Sequence, residues 1–218
     1  MKKFQILILL IFSLSILYSQ SYPMYGQNQH HTCHIDVAGP VTKPNEYWRF
    51  EEKEGRYAGN PVTDSNGNIY VGFAYEEDNE AYYCSLDSLG KIRWEKMYKR
   101  NYNEFYNSDC KVALDESRNR AYFSFTRCGG LFAHTLGGDL IWKFEKTYSY
   151  SPPTIRDNGY LYLGQGNGKR IICVSPEGAL VWEFDGSGDY SLCEQNAIDD
   201  SGHVYIPLGN YLYCLNGD

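Results

Sequence analysis

After the first 20 residues, short apolar segments alternate with polar turns, and no segment shows helical periodicity. Four of the turns are rich in Asp, Asn, Ser and Gly, which tolerate the backbone conformations that tight hairpins require. These turns lie at 64–68, 115–119, 156–159 and 199–202. A strand is predicted after each turn, and its central residue is Tyr70, Tyr122, Tyr162 or Tyr205. The pattern therefore predicts a series of β-hairpins.

A second hairpin is predicted after the tyrosine strand of each of the first three units. It consists of an apolar strand, a short turn with glycine, and a strand that carries tryptophan. The motif Gly-x-x-x-Trp occurs at 90–94, 138–142 and 178–182. Residues 48–51, which begin with Trp48, resemble the four residues that begin with the tryptophan at 142–145 and 182–185. The four tryptophans are separated by 46, 48 and 40 residues, a period typical of repeated four-stranded units.

The repeats predict an all-β protein whose four-stranded antiparallel units lie at about 59–96, 110–145, 152–184 and 195–218. A single unit leaves one face unburied, so neighbouring units must stack, and each tryptophan offers a large apolar surface for this stacking. The 21 tyrosines also favour strands. The fold class that fits is a β-propeller, in which each unit is a blade and about four blades are present.

Two parts of the repeat are incomplete in the sequence. Residues 48–50 form a tryptophan strand with no unit before it, and no tryptophan strand follows Leu215 in the last unit. Either the Trp48 strand completes the last blade of a closed four-bladed ring, or the ring is incomplete and the chain is the first part of a longer propeller. We favour the incomplete ring, because sequences of this type usually form larger rings.

The first 20 residues are interpreted as a signal peptide. Lys2 and Lys3 form a positively charged start, and residues 6–17 are an apolar run that is short for a membrane span of about 20 residues. An uncleaved anchor is the alternative. Residues 21–58 then form an N-terminal segment that includes the Trp48 strand. We expect an exported protein, in the periplasm, at the cell surface or in the medium, with no transmembrane segment in the mature chain.

The charge of the mature chain limits its partners. Loss of Lys2 and Lys3 with the signal peptide changes the formal net charge from −7 to −9. An acidic domain without a basic stripe is not expected to bind nucleic acid.

The chain has seven cysteines, an odd number that leaves at least one without a disulfide partner. Alignment of the repeats places Cys84, Cys173 and Cys214 at one strand position, which Ala133 occupies in the second unit. A position that accepts Ala or Cys is expected to be small and buried. The candidates for disulfides of undetermined connectivity are Cys33, Cys110, Cys128 and Cys193.

Three patterns resemble binding motifs, but a structural role explains each of them better. The His-His-Thr-Cys-His run at 30–34 has zinc-ligand residue types, yet neighbours in an extended segment point to opposite sides. Residues 64–68 resemble a calcium loop without its later Gly and Glu. Residues 164–169 resemble a phosphate loop, but a strand is predicted after them instead of a helix. The sequence therefore assigns no catalytic, cofactor-binding or metal-binding residue, and no cofactor.

One predicted face of the propeller is rich in Tyr, Asn and acidic residues. It is formed by the connections between blades and between the second and third strands, which include 75–80, 98–108, 148–150 and 185–194. Such residues suit polar recognition, because tyrosine combines a large contact area with a hydroxyl group. The expected partner for this face is a protein, a peptide or a glycan, and a solvated surface is the alternative.

The repeats resemble those of the pyrroloquinoline-quinone-like (PQQ-like, or quinoprotein-type) β-propellers. The shared phrase is an apolar-Pro step, a tyrosine strand, a Leu-Asp step, glycine and tryptophan, found here at Pro61, 70–72, 85–87, Gly90 and Trp94. Residues 151–182 give a second match. Residues 22–32 also resemble the motif with which exported members of this family begin, although Cys33 stands where glycine is usual.

This resemblance implies two functional hypotheses. The family includes PQQ-dependent dehydrogenases, which have adjacent cysteines, an acidic base and a calcium site near the quinone. It also includes non-catalytic members, such as the propeller lipoprotein of the outer-membrane assembly machinery. Because this chain has no adjacent cysteines, we favour an exported, non-catalytic binding or scaffolding module. The alternative is a fragment of a PQQ-dependent dehydrogenase, so enzyme activity is the less expected outcome.

Overall fold

A computed structural model of the chain describes residues 21, 23–30, 32, 39, 41–52, 57–74, 80–99, 110–125, 130–145, 151–165, 170–186, 196–208 and 210–216. In these residues all regular structure is β-strand, apart from one 3-10 turn at Glu116–Arg118. None of them belongs to a helix that is long and apolar enough to cross a bilayer.

The strands form four separate antiparallel sheets, which we call blades 1 to 4 in chain order. Blade 1 contains β1 (Tyr57–Ala58), β2 (Val62–Thr63), β3 (Ile69–Ala74), β4 (Glu80–Leu86) and β5 (Ile92–Lys99). Blade 2 contains β6 (Cys110–Asp115), β7 (Arg120–Phe125), β8 (Gly130–His134) and β9 (Leu140–Phe144). Blade 3 contains β10 (Thr154–Ile155), β11 (Leu161–Gln165), β12 (Arg170–Val174) and β13 (Leu180–Asp185). Blade 4 contains β14 (Ala197–Ile198), β15 (His203–Leu208) and β16 (Tyr211–Asn216).

These blades confirm the predicted all-β propeller fold. In blade 1, β1 and β2 both pair with β3, so they act as one interrupted first strand. The first strands of the blades lie together, since β6 contacts β2, β3 and β10. We therefore call the first strand of each blade inner and the fourth strand outer. In the described part of the chain no closed ring forms, because no strand joins blade 4 to blade 1.

Much of the apolar surface is buried between neighbouring blades. Three hydrophobic clusters each join one face of a blade to the facing side of the next blade. The central tyrosines of blades 1 to 3, Tyr70, Tyr122 and Tyr162, are fully buried in these clusters. Complete burial of a large apolar side chain contributes roughly 1.5–3 kcal/mol, so the stacking of the blades contributes a large part of the stability.

The strand register corrects the sequence alignment at one position. In blades 2 to 4, the residue that pairs with the central tyrosine is Ala133, Cys173 or Cys214. In blade 1, Tyr70 pairs with Ser85, whereas Cys84 pairs with Val71 and lies on the opposite face of the sheet. The predicted equivalence of Cys84 to these residues was therefore wrong by one position, because a shift of one residue moves a strand side chain to the other face.

Candidate functional site

The tryptophans of the outer strands of blades 1 and 2 contact the glycine turn of the next blade. The indole Nε1 of Trp94 in blade 1 donates a hydrogen bond to the carbonyl of Leu136 in blade 2 at 3.0 Å. Trp142 of blade 2 donates in the same way to the carbonyl of Pro176 in blade 3 at 2.8 Å. The repeated contact therefore holds adjacent blades in a constant relative position.

A second set of contacts joins the turns between the first and second strands. The Glu116 carboxylate in blade 2 accepts hydrogen bonds from the backbone nitrogen of Ser65 in blade 1 at 3.0 and 3.1 Å. The Arg118 guanidinium donates to the Asp157 carbonyl in blade 3 at 3.3 Å. Because successive strands are antiparallel, these turns and the tryptophan turns share one end of the blades. We call this end the turn face, and its shape is held by both sets of contacts.

A cleft of about 390 Å³ opens on the turn face between blades 2 and 3. Its apolar lining comes from Pro23, Met24, Leu114 and Ile155. Its polar and charged lining comes from Asp115, Glu116, Ser117, Arg118, Arg156 and Asp157. We take this cleft as the candidate functional site, because ligand sites are typically concave, with apolar walls and a few fixed polar groups.

The N-terminal segment forms one wall of the cleft. The backbone nitrogen of Leu114 donates to the Pro23 carbonyl at 2.6 Å, and that of Ile198 donates to the Gln29 carbonyl at 2.9 Å. Leu114 lies on the inner strand of blade 2 and Ile198 on the inner strand of blade 4, so the segment runs along the inner edges of the blades. Met24 is only 8% exposed and packs into the cluster between blades 2 and 3. The inner edges therefore already bind a peptide segment through its backbone.

The polar and charged groups that blade 2 contributes to the cleft lining have internal partners. Arg118 donates to the Asp115 carboxylate at 2.9 Å, and the Ser117 hydroxyl donates to the same carboxylate at 2.6 Å. Asp115 also accepts a hydrogen bond from the Arg118 backbone nitrogen at 3.1 Å, and so caps the 3-10 turn. These groups are fixed by the turn, and they present hydrogen-bonding groups at constant positions. Such an arrangement suits recognition of a polar ligand.

The histidine-rich and glycine-rich patterns are only partly described. His30 Nε2 lies 3.2 Å from a carboxylate oxygen of Asp200, and the other histidines and the cysteine of that run lie outside the described residues. Strand β12 follows the glycine-rich segment, which confirms the predicted strand. Among the described residues, no group of three or more His, Cys, Asp or Glu side chains could hold a metal ion.

The calcium-like pattern is a hairpin turn. Asp64 Oδ1 accepts hydrogen bonds from the backbone nitrogens of Asn66 and Asn68 at 2.9 and 2.8 Å. Its Oδ2 accepts from the Asn68 side chain at 2.8 Å and from the Tyr70 hydroxyl at 3.0 Å. Both carboxylate oxygens of Asp64 therefore accept hydrogen bonds from within the hairpin, that is, from the turn and from the strand that follows it.

Most of the predicted tyrosine-rich face lies outside the described residues. The parts of it that the structure does not describe are 75–79, 100–108, 148–150 and 187–194. The same holds for three of the candidate disulfide cysteines, Cys33, Cys128 and Cys193.

A buried histidine between blades 1 and 2 gave no signal in the sequence. His134 is fully buried, and its Nε2 lies 2.8 Å from the hydroxyl of Tyr98. Its ring stacks on Trp94 with the centroids 6.1 Å apart. Burial, together with the positive charge of Lys96, lowers the pKa of His134 to about 4. The imidazole is therefore neutral at neutral pH and acts as part of the interface between the blades.

No protein-family model matches the chain, and no curated protein matches it. Solved structures do match. One is BamB from Moraxella catarrhalis, with 16% identity, a TM-score of 0.50, and coverage of 73% of this chain and 46% of that chain. Another is a streptogramin B lyase, with 17% identity, a TM-score of 0.51, and coverage of 72% and 53%. A third is a protein of unknown function from Bacteroides caccae, with 13% identity, a TM-score of 0.50, and coverage of 78% and 64%. The chain thus spans about half to two thirds of the length of these structures, and it shares with them the β-propeller fold.

Proposed function

We propose that this chain is an exported, non-catalytic β-propeller module of the PQQ-like type that binds a protein or peptide partner. The observation that carries the proposal is the N-terminal segment, whose carbonyls accept hydrogen bonds from Leu114 and Ile198 at the inner edges of the blades. Free strand edges bind the backbone of partner peptides in many recognition domains. Here residues 23–29 of the chain itself are bound in this way, and Pro23 and Met24 line an open cleft.

The lining of the cleft defines the kind of partner. Met24, Leu114 and Ile155 form the apolar part of the cleft lining, and each of them is less than a tenth exposed. The exposed Asp157 and the Arg118 guanidinium stand beside this surface and suit polar groups of a peptide. Export rests on the signal-peptide pattern of the first 20 residues. The tyrosine-rich connections stay a predicted second contact surface for a protein, a peptide or a glycan.

Panning a phage-displayed library of random peptides against the mature protein tests this proposal. We expect enriched peptides whose affinity falls by roughly tenfold in the Asp157→Arg variant, because the substitution reverses a charge beside the cleft. The matched control is Asp139→Arg, which reverses the charge of an exposed turn residue of blade 2 outside the cleft. This control should bind the peptides as the wild type does.

Two results would contradict the proposal. If enriched peptides bind Asp157→Arg unchanged and protect residues 98–108 from hydrogen exchange, the binding site is the tyrosine-rich face. If PQQ and calcium together produce dye-linked oxidation of an alcohol or sugar, the chain is catalytic, and the dehydrogenase hypothesis replaces the binding module.

A further inference from the structure

The apolar part of the cleft is occupied by a segment of the chain itself. Residues 23–29, which we call the strap, run along the inner edges of the blades. Met24 of the strap packs with Ala113 of blade 2 and Ile155 of blade 3 in the cluster between these blades. We call the surface that Ala113 and Ile155 present to Met24 the apolar pocket. Met24 is 8% exposed and Ile155 is 6% exposed, so the Met24 side chain fills this pocket.

Two backbone hydrogen bonds attach the ends of the strap to different blades. The backbone nitrogen of Leu114 in blade 2 donates to the Pro23 carbonyl, and that of Ile198 in blade 4 donates to the Gln29 carbonyl. In the described sheets, β6 and β14 each have a strand partner on one edge, so the other edge is available to the strap. Every residue has a carbonyl, so these bonds position a backbone without selecting a sequence. Selection therefore depends on the side chain that enters the apolar pocket.

The strap contains features that oppose its own attachment. Gln27 has a φ of +77°, a left-handed conformation that is unfavourable for a residue other than glycine. The side-chain oxygen of Gln29 is buried and has no hydrogen-bond partner among the described residues, which is also unfavourable. The Asn28 side chain donates to that of Gln27 at 2.8 Å, a bond within the strap that adds no contact to the blades. A segment that makes the same contacts without these features would therefore bind more tightly than the strap.

The polar contact that follows the strap is exposed. His30 Nε2 lies 3.2 Å from a carboxylate oxygen of Asp200 in blade 4, and the Asp200 side chain is 95% exposed. Exposed pairs of this kind contribute little, because solvent screens them. The burial of Met24 and the two backbone bonds are therefore the main described attachments of the strap.

We propose that the strap is a built-in occupant of the peptide site and that the partner replaces it. The partner is an extended segment of another protein, with a long and flexible apolar side chain, such as methionine or leucine, where Met24 lies. Its backbone carbonyls take the hydrogen bonds that Pro23 and Gln29 accept. This inference rests on the proposed function, and it adds the position of the partner and a competitor for that position.

A built-in occupant makes binding depend on release of the strap. The apparent affinity for a partner is its affinity for the open site, reduced by the fraction of molecules in which the strap is released. A substitution that releases the strap therefore strengthens the binding of the partner. A peptide that binds beside the strap behaves in the opposite way, because it uses Met24 as a wall of its site and loses this contact on release.

Oxidation of methionine in the wild-type protein detects the replacement directly. The probe is a synthetic peptide with the sequence of residues 21–32 in which leucine replaces Met24, so the probe contains no methionine. With this peptide in excess, hydrogen peroxide should oxidise Met24 of the protein at least roughly fivefold faster, because the released strap is exposed to solvent. Met97, which is 50% exposed on the outer strand of blade 1, is the internal reference and should oxidise at an unchanged rate. The same peptide with aspartate in place of the leucine should have no effect.

Met24→Asp tests the competition from the side of the protein. A carboxylate is disfavoured in the apolar pocket, so the strap should be released, and the leucine peptide should bind roughly tenfold or more tightly than it binds the wild type. Met97→Asp is the matched control, since it makes the same change at an exposed methionine outside the cleft, and it should bind the peptide as the wild type does. Fluorescence anisotropy of the labelled peptide measures the affinities, and circular dichroism should show both variants folded. The oxidation experiment needs no variant, so it decides the question even if Met24→Asp does not fold.

Replacement of the strap and the proposed function fail in different ways. A rate of Met24 oxidation that the peptide leaves unchanged or lowers would overturn the replacement, and so would equal or weaker binding of the peptide to folded Met24→Asp. Panned peptides that bind the protein without competing with the leucine peptide would overturn it as well, and they would leave the proposed binding function in place. If no panned peptide binds either the wild type or Met24→Asp, the proposed function itself fails, and the replacement fails with it.

Discussion

The indole ring of Trp94 in blade 1 lies on Gly138 in blade 2. A Cβ atom on Gly138 would be 2.7 Å from this ring, and the glycine has a φ of +97°, a backbone conformation that other residues rarely adopt. Gly178 meets Trp142 in the same way. The tryptophan of one Gly-x-x-x-Trp motif thus packs on the glycine of the motif in the next blade. The motif therefore stabilises the stacking of blades as well as the turn.

Gly138→Ala should destabilise the protein by roughly 2–4 kcal/mol, since it adds both backbone strain and a clash with the Trp94 ring. The neighbouring Gly137→Ala is a matched control, because a Cβ atom there would meet only Thr135 Oγ1, at 3.5 Å. We expect the control to change stability by less than about 0.5 kcal/mol. Urea unfolding of the two variants measures the difference, and equal midpoints would contradict the role of this contact.

Stability should fall as the pH drops from about 6.5 to about 4, because of His134. The unfolded chain takes up a proton on this histidine near its ordinary pKa of 6.5, whereas the folded protein does so only near its lowered pKa of about 4. Protonation therefore favours the unfolded state throughout this window, with a total loss of roughly 3 kcal/mol.

Urea unfolding at several pH values between neutral and about 4 measures this loss. His134→Phe keeps an aromatic ring between Trp94 and Phe132 and removes the titrating group. Its stability should depend less on pH than that of the wild type. The control is His203→Gln, a partly exposed histidine in blade 4, which should keep the steep dependence. A wild type and a His134→Phe variant with parallel pH profiles would show that another group causes the loss.

Asp64→Ala should cost roughly 2–4 kcal/mol. Asp64 is 1% exposed and accepts four hydrogen bonds, so the substitution leaves the donors of the turn without their acceptor. It also removes the nearer acceptor of the Tyr70 hydroxyl, whose other acceptor is the Leu136 carbonyl at 3.4 Å. Asp87→Ala is the comparison, because the described donors to the Asp87 carboxylate are two, the backbone nitrogens of Leu89 and Lys91 in an exposed turn. It should cost about 1 kcal/mol or less.

Thermal unfolding measures the stability of both variants, and added calcium should leave the Tm of the wild type unchanged. A calcium-dependent rise in Tm that Asp64→Ala abolishes would instead identify a calcium site.

Cys84 and Cys173 should resist alkylation in the folded protein. Burial, which outweighs a hydrogen bond from a neighbouring tyrosine, raises the pKa of each thiol to about 12, so the reactive thiolate is scarce at neutral pH. The exposed Cys214 should react first. Iodoacetamide labelling followed by peptide mass spectrometry measures the order, and labelling in urea, where all three should react at similar rates, is the control. Early labelling of Cys173 would mean that the interface between blades 3 and 4 opens readily.

The sequence alone determined the class, order and approximate limits of the strands. Strand formation depends on local alternation of apolar residues, and the turns depend on residues that tolerate unusual backbone angles. For this reason the hairpin at Asp64 and the strand after the glycine-rich segment were both predicted correctly. The resemblance in repeat sequence also indicated the propeller fold before any contact was known.

Only the tertiary structure decided which residues meet across blades. Ser85, and not Cys84, is the residue of blade 1 that is equivalent to Cys173. This equivalence depends on strand register, because a shift of one residue moves a side chain to the other face of the sheet. The burial of His134 beside Trp94, and the cleft beside Met24, depend on residues that are far apart in the chain and become neighbours when blades stack. Local periodicity carries no information about such distant pairs, so the sequence predicted the blades and the structure showed how they fit together.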